Sequence, residues 1–223
     1  MHALEGGLRK GLAQCEDLVL DDGQVAALLA YLDLIQKWTK VYNLTAVRVP
    51  AEMLTHHLLD SLAVIAPLRR QLAALPVDAA ARVEGRRLLD VGSGAGLPGI
   101  VVAICCPDIT VHCVDTVAKK AAFIQQVAAT LRLPNLRGIH ARVESLTQPY
   151  DVVCSRAFAS LVDFTNWSRA ALAEQGVWMG MKGKHPFDEI AALPADVTVF
   201  HVEQLVVPGL DAERCIVWMR PAG

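Results

Sequence analysis

Between Leu88 and Ile104 the chain reads LLDVGSGAGLPGIVVAI: an apolar run, then four glycines and a proline within eight positions, then a second apolar run. A strand running into a glycine-rich turn and out into a helix accounts for this order. Glycines in such a turn let the backbone approach a ligand closely, because no Cβ intervenes. The surrounding uncharged stretch, Val91 to Pro107, is interrupted by glycines and prolines and cannot be a membrane span.

From Arg87 onward strand and helix patterns alternate. Strands are expected at RRLLDVG, TVHCVD, Leu136–His140, Asp151–Ser155, GVWMGMK, Val197–Val207 and Arg214–Met219, with helices after Pro98, at Val117–Leu131 and at Leu161–Leu172. Such alternation predicts an α/β fold, a doubly wound and mostly parallel seven-stranded sheet that closes with an antiparallel pair. The first third reads as helices. Asp21 and Asp22 cap one that runs to about Val41, and Pro50 precedes another from Ala51 to about Leu68. The expected organisation is an N-terminal helical extension over 1–72, a linker over 73–86 and a sheet domain over 87–223.

The glycine turn admits two ligand readings. Gly94, Gly96 and Gly99 spell the dinucleotide fingerprint G-x-G-x-x-G, whereas Gly92, Gly94 and Gly96 spell G-x-G-x-G behind an acid, as in enzymes that bind S-adenosylmethionine. Both readings use an acid at the end of strand two for the ribose hydroxyls, and Asp115 supplies it. Three features favour S-adenosylmethionine. Asp90 places an acid inside strand one, near the charged amino-acid end of such a cofactor; no stretch is left for a separate substrate domain; and two extra strands finish the sheet. The loop after strand four, CSRAFASL, lacks both N/D-P-P-Y/F and a Pro-Cys pair. The expected acceptor is therefore nucleophilic without help, either a ring nitrogen or a small molecule. A non-catalytic interaction module on an inactive sheet is the alternative outside enzymes.

Further along, KWTKVYNLTAVR (37–48), EMLTHHLLDSL (52–62), LLDVGSGAGLPGI, ARVESL (141–146), SRAFASL (155–161) and LDAER (210–214) together resemble the RsmG family, also called GidB. The resemblance spans nearly the whole chain. It implies a class I, Rossmann-like methyltransferase that uses S-adenosylmethionine to methylate N7 of a guanine in 16S ribosomal RNA. It places Gly92 and Leu97 against the cofactor, Asp115 and Thr116 at its ribose, Val143 and Glu144 at its adenine, and Arg156 on the strand-four loop. Val49 and His56 depart from the family pattern, which commonly has an acid and an arginine there.

Arg156 is the leading positioning residue, for cofactor or for RNA, with a plain carboxylate pairing as its other reading. With a net charge of −2, RNA has to meet a local basic patch drawn from Arg48, Lys119, Lys120, Arg142, Lys182, Lys184 and Arg214. Lys182 could hold a phosphate or be an ordinary surface lysine. No metal is expected, since His57 and Asp60 lack a third ligand and fit docking of the helices on the sheet. Trp38 and Tyr42 fit a helix-to-sheet contact better than base stacking. Six cysteines without a C-x-x-C pattern, and an N-terminus without a signal core, suit a cytoplasmic chain. Its expected partner is 16S rRNA or the small-subunit particle, met as a monomer and without a membrane.

Overall fold

The structure, a computed structural model, describes residues 2–15, 17–76 and 85–223. Strands β1 (Arg86–Val91), β2 (Ile109–Asp115), β3 (Leu136–His140), β4 (Tyr150–Arg156), β5 (Leu172–Lys182), β6 (Val197–Leu205) and β7 (Arg214–Pro221) form one sheet in the order β3-β2-β1-β4-β5-β7-β6. Strands β1 to β5 pair in parallel, and β7 runs antiparallel to both β5 and β6. The order reverses between β1 and β4, so the crevice beyond their carboxyl ends is where a ligand is expected.

Helix α1 (Glu5–Leu12) precedes α2 (Asp22–Tyr42). In α2 Asp21 and Gln24 form a reciprocal capping box, and Asn43 ends the helix in the left-handed region. Helix α3 begins as Pro50–Met53, widens into a π turn over Leu54–Leu59 and finishes as Asp60–Leu62. After a short break, α4 covers Ile65–Ala74. On the sheet lie α5 (Gly99–Cys105), α6 (Ala118–Thr130), α7 (Leu161–Ser168) and the short α8 (Phe187–Ala191).

Four expectations need correcting. Helix α1 has no counterpart in the sequence reading, because its three glycines and paired charges mask its single apolar face. The expected helix over 51–68 is two helices, since the chain turns at Ala63 and Val64. Helix α4 continues through Ala74, beyond the expected start of the linker, most of which lies outside the described residues. Helix α7 stops at Ser168; a 3-10 turn at Arg169–Ala171 follows and Leu172 already belongs to β5.

Two apolar layers cover the sheet. On one face Leu28, Leu32, Ile35, Leu58 and Leu68 from the N-terminal helices share a core with Ile100, Val102, Ile104 and Phe123. On the other, Leu89, Val91, Val153, Trp178 and Val217 pack with Phe164 of α7, and the Trp178 indole donates to Ser168 Oγ at 2.9 Å. Polar ties then fix where α2 lies on the glycine turn. The buried Tyr31 hydroxyl donates to the Ala95 carbonyl at 2.6 Å, and the Gln24 amide donates to the carbonyls of Ile104 and Cys105.

Candidate active site

The glycine turn is fixed first by its own strand neighbours. The N–H groups of Gly92 and Ser93 donate to the Val114 carbonyl, at 2.9 and 3.3 Å. Gly92, Gly94 and Gly96 all take positive φ, at +67°, +59° and +87°, a region that favours glycine. Each nevertheless serves a different need. A Cβ on Gly92 would lie 2.5 Å from the Phe158 ring, and one on Gly96 would lie 2.3 Å from Ile100 Cδ1. A Cβ on Gly94 would come no nearer than 4.0 Å to anything, at the Gly92 carbonyl. Gly94 therefore faces open space, as a backbone left bare for a ligand would.

Asp115 ends β2 beside this turn and is 5 % exposed. Its Oδ2 accepts the Gly94 N–H at 3.0 Å, its Oδ1 accepts the Val117 N–H at 2.9 Å, and Lys120 Nζ stands 3.6 Å away. A cleft of about 390 Å³ opens there, lined by Gly92, Asp115, Thr116, Lys120, Val143 and Glu144, with Ala157, Phe158 and Trp167 across from them. That volume suits a small cofactor. Three segments far apart in sequence, after β1, β2 and β3, meet on one wall.

Asp90, Gly94, Gly96, Leu97 and Arg156 do not line the cleft. Asp90 is fully buried under the turn, and its Oδ2 accepts the Gly99 N–H at 2.9 Å. Burial lifts its carboxyl to about 7, against the pull of that N–H and of Arg156. Gly96 and Leu97 are buried behind the turn and support it. Arg156 turns away from the cleft wall, donating to Asp60 Oδ2 and to the His56 carbonyl, both at 2.9 Å. Arg214 closes the other side of the same carboxylate, at 2.8 Å from Asp60 Oδ1. Beside it the buried His57 ring meets Thr45 Oγ1 at 3.0 Å, and burial together with Arg156 lowers its imidazolium to about 4. Asp60 is thus the pin joining α3 to β4 and β7.

The basic residues are similarly divided. Lys182 holds Glu189 at 2.8 and 3.0 Å, and Arg48 closes the end of α2 on the Thr39 carbonyl and Asn43. Arg142 lies 3.7 Å from Glu144, whereas Lys119 and Lys184 are exposed and outside any ion pair among the described residues. Phe158 and Trp167, 5.7 Å apart in an edge-to-face pair, are cleft residues that sequence reasoning missed. Phe158 stands inside the quoted SRAFASL and could have been found there; Trp167 reaches the cleft only through the packing of α7.

Residues 24–217 match the family described as rRNA small subunit methyltransferase G (GidB). The chain belongs to that family. Relatives called ribosomal RNA small subunit methyltransferase G share 72 % identity in Albidiferax ferrireducens, covering 99 % of this chain and 98 % of the relative, and 63 % in Polaromonas naphthalenivorans, covering 99 % of each. Among solved structures, TrmN from Thermus thermophilus superposes at a TM-score of 0.53 with 18 % identity, over 76 % of this chain and 53 % of its own. The ribosomal protein L11 methylase from Lactobacillus delbrueckii subsp. bulgaricus gives 0.53 with 13 % identity, over 74 % and 79 %. These two likenesses speak for the fold, the Rossmann-like sheet of class I methyltransferases. As a member of the family the chain is an enzyme, a methyltransferase dependent on S-adenosylmethionine. Among the described residues no helix is long and apolar enough to cross a membrane.

Proposed function

We propose that the cleft between the glycine turn and Glu144 seats S-adenosylmethionine, and that the enzyme methylates N7 of a guanine in 16S rRNA, presented in the small-subunit particle in the cytoplasm. The observation that carries the cofactor site is the meeting of Gly92, buried Asp115 and the Val143–Glu144 turn around one cavity of suitable size, with the bare Gly94 backbone held on Asp115 beside it. The cofactor supplies an electrophilic methyl group on a sulfonium. Asp115 spends its two oxygens on neutral N–H donors, which leaves lone pairs for ribose hydroxyls. Phe158 and Trp167 make the apolar wall opposite and exclude water from it.

Guanine N7 carries an in-plane lone pair and no proton, so the chain has no proton to remove from the acceptor. The strand-four loop agrees: its charged side chain, Arg156, stays protonated and is committed to Asp60. What remains for the protein is positioning, worth about 7–11 kcal/mol when reacting atoms are held in line. Arg156 then acts through the joint, by fixing the start of the loop that carries Ala157 and Phe158. The second reading, a small-molecule acceptor, gains no support from the surface, where exposed lysines stand beside the cleft.

The test is methyl mapping on small-subunit particles from cells lacking this gene, treated with purified enzyme and S-adenosylmethionine. One new methyl on a guanine N7 of 16S rRNA is expected, with a rate at saturating substrates that is flat from pH 6 to about pH 8.5. A methyl on an exocyclic amine, or a rate that climbs tenfold per pH unit, would overturn the reading.

A further inference from the structure

Trp38 and Tyr42 stand one turn apart on α2 with ring centroids 5.1 Å apart, yet they face different surroundings. Trp38 is partly buried and packs on Phe123 of α6 at 5.3 Å, so it docks the helix as expected. Tyr42 is 44 % exposed at the end of the helix, with Lys119 Nζ 5.4 Å from its ring centroid. Val117, also exposed, lies two residues before Lys119 at the start of α6, and Asn43, next to Tyr42, accepts from the Arg48 guanidinium. Lys119 is in no ion pair among the described residues. Val117 and Lys120 also line the cofactor cleft, so this surface runs up to its mouth.

A lone exposed aromatic needs no explanation, and a cation at a helix C-terminus is ordinary dipole complementarity. The combination is different: an exposed ring, an uncompensated cation set against it from a separate element, and continuity with the site where the acceptor must arrive. Aromatic faces beside cations are how proteins hold single-stranded nucleic acid, through stacked bases and neutralised phosphates. Lys119 reaches the ring by a flexible stem. Swinging that ammonium to a phosphate clears the ring face for a base.

We propose that Tyr42 is a stacking platform for an unpaired nucleotide of the rRNA substrate near the target guanine, with Lys119 at the adjoining phosphate. This rests on the rRNA reading above and adds to it where the strand lies. It reassigns Tyr42 from helix docking, a role that Trp38 fills alone.

The experiment is single-turnover methyl transfer at saturating S-adenosylmethionine, titrated with small-subunit particles, for wild type, Tyr42→Ala, Tyr42→Phe and Lys119→Gln. Tyr42→Ala should raise the half-saturating particle concentration roughly tenfold, as loss of one stacked base predicts. Tyr42→Phe keeps the ring and should stay within about twofold of wild type. Lys119→Gln should flatten the salt dependence by about 0.7–0.9 in log–log slope, one phosphate contact. Cofactor affinity and thermal unfolding, measured in parallel, should be unchanged in all three. Unaltered particle dependence in Tyr42→Ala, with normal wild-type transfer, sinks the platform alone. Equal loss in Tyr42→Phe and Tyr42→Ala sinks it too, since the ring would not be the working part. So does a Tyr42→Ala variant that loses only binding to phosphatidylglycerol vesicles, which would make the surface a lipid contact. No transfer to 16S rRNA by the wild type removes the rRNA reading and the platform together.

Discussion

Two buried carboxylates lie at the carboxyl edge of the sheet, Asp60 against the end of β4 and Asp115 at the end of β2, and they are neutralised in opposite ways. Asp60, 2 % exposed, is closed by two guanidinium groups and is charge-compensated within the chain. Asp115, 5 % exposed, takes neutral backbone N–H groups on both oxygens, with a lysine at a looser 3.6 Å. A carboxylate gripped by two arginines has its geometry and charge spent, so it serves as a joint. One held by backbone donors keeps lone pairs and residual charge, so it can still receive a ligand's hydroxyls. Equal burial does not mean equal function; the donors decide.

The largest effect should come from breaking the joint. Asp60→Ala strands Arg156 and Arg214, about three-quarters buried, beside a lost partner. It should cost about 3 kcal/mol of stability, at the low end for a broken buried pair because both guanidinium groups can still reach water. Urea unfolding measures this, and S-adenosylmethionine affinity of the folded fraction should change less than about twofold. A large affinity loss without destabilisation would mean that Asp60 belongs to the cofactor site after all.

Next comes the open carboxylate. Asp115→Ala should weaken S-adenosylmethionine binding by roughly 1.5–3 kcal/mol, read by calorimetry. It should also loosen the turn, because Gly94 N–H loses its acceptor. If NADH bound with comparable strength to the wild type, the cleft would suit the other ligand class.

Gly94 and Gly96 sharpen the contrast inside the turn itself. Gly94→Val meets open space and carries only the strain of its positive φ, about 1–3 kcal/mol, so the chain should still fold while cofactor affinity drops more than about tenfold. Gly96→Val drives a side chain into Ile100 and should cost about 1–3 kcal/mol of stability by overpacking alone. Interchanged phenotypes would reverse which glycine faces the ligand.

The effect that pH alone should reveal concerns Asp90 beneath the turn. Its folded carboxyl titrates near 7, above the unfolded value of 3.8, so between those values the folded state binds the extra proton. The sign follows: the stability contributed by this group is complete below about pH 4 and is lost as pH rises through 7. Asp90→Asn keeps an acceptor for the Gly99 N–H and has nothing to titrate. Its stability relative to wild type should therefore improve steadily from pH 4 to 7 in denaturant titrations. A constant difference across that window would mean that Asp90 stays ionised in the folded chain.

Much of the fold was legible because strands buried on both faces read as continuous apolar runs, and because a glycine turn marks where the first one ends. The strand positions and the antiparallel finish follow from that pattern. Helix α1 escaped it, since three glycines leave too few apolar positions to show a period. The break at Ala63–Val64 escaped as well: apolar residues continue through it, and only packing tells one helix from two. At the site, Gly92, Asp115, Thr116, Val143 and Glu144 line the cleft, and Asp90, Gly94, Gly96, Leu97 and Arg156 do not.

By itself the chain's sequence determined what is local and periodic: the strand–turn–helix order, the glycines that only a bare backbone could use, and the charges available to it. Which charges remain free was decided by the tertiary structure. Arg156 and Arg214 lie 58 positions apart and Asp60 nearly a hundred before the first of them, and only the sheet order makes them one joint. Lys182 finds Glu189 and is occupied, whereas Lys119 finds a tyrosine ring and is not. Charge-assisted hydrogen bonds need contact at about 2.7–2.9 Å, and distances of that size between remote residues exist only once the chain has folded.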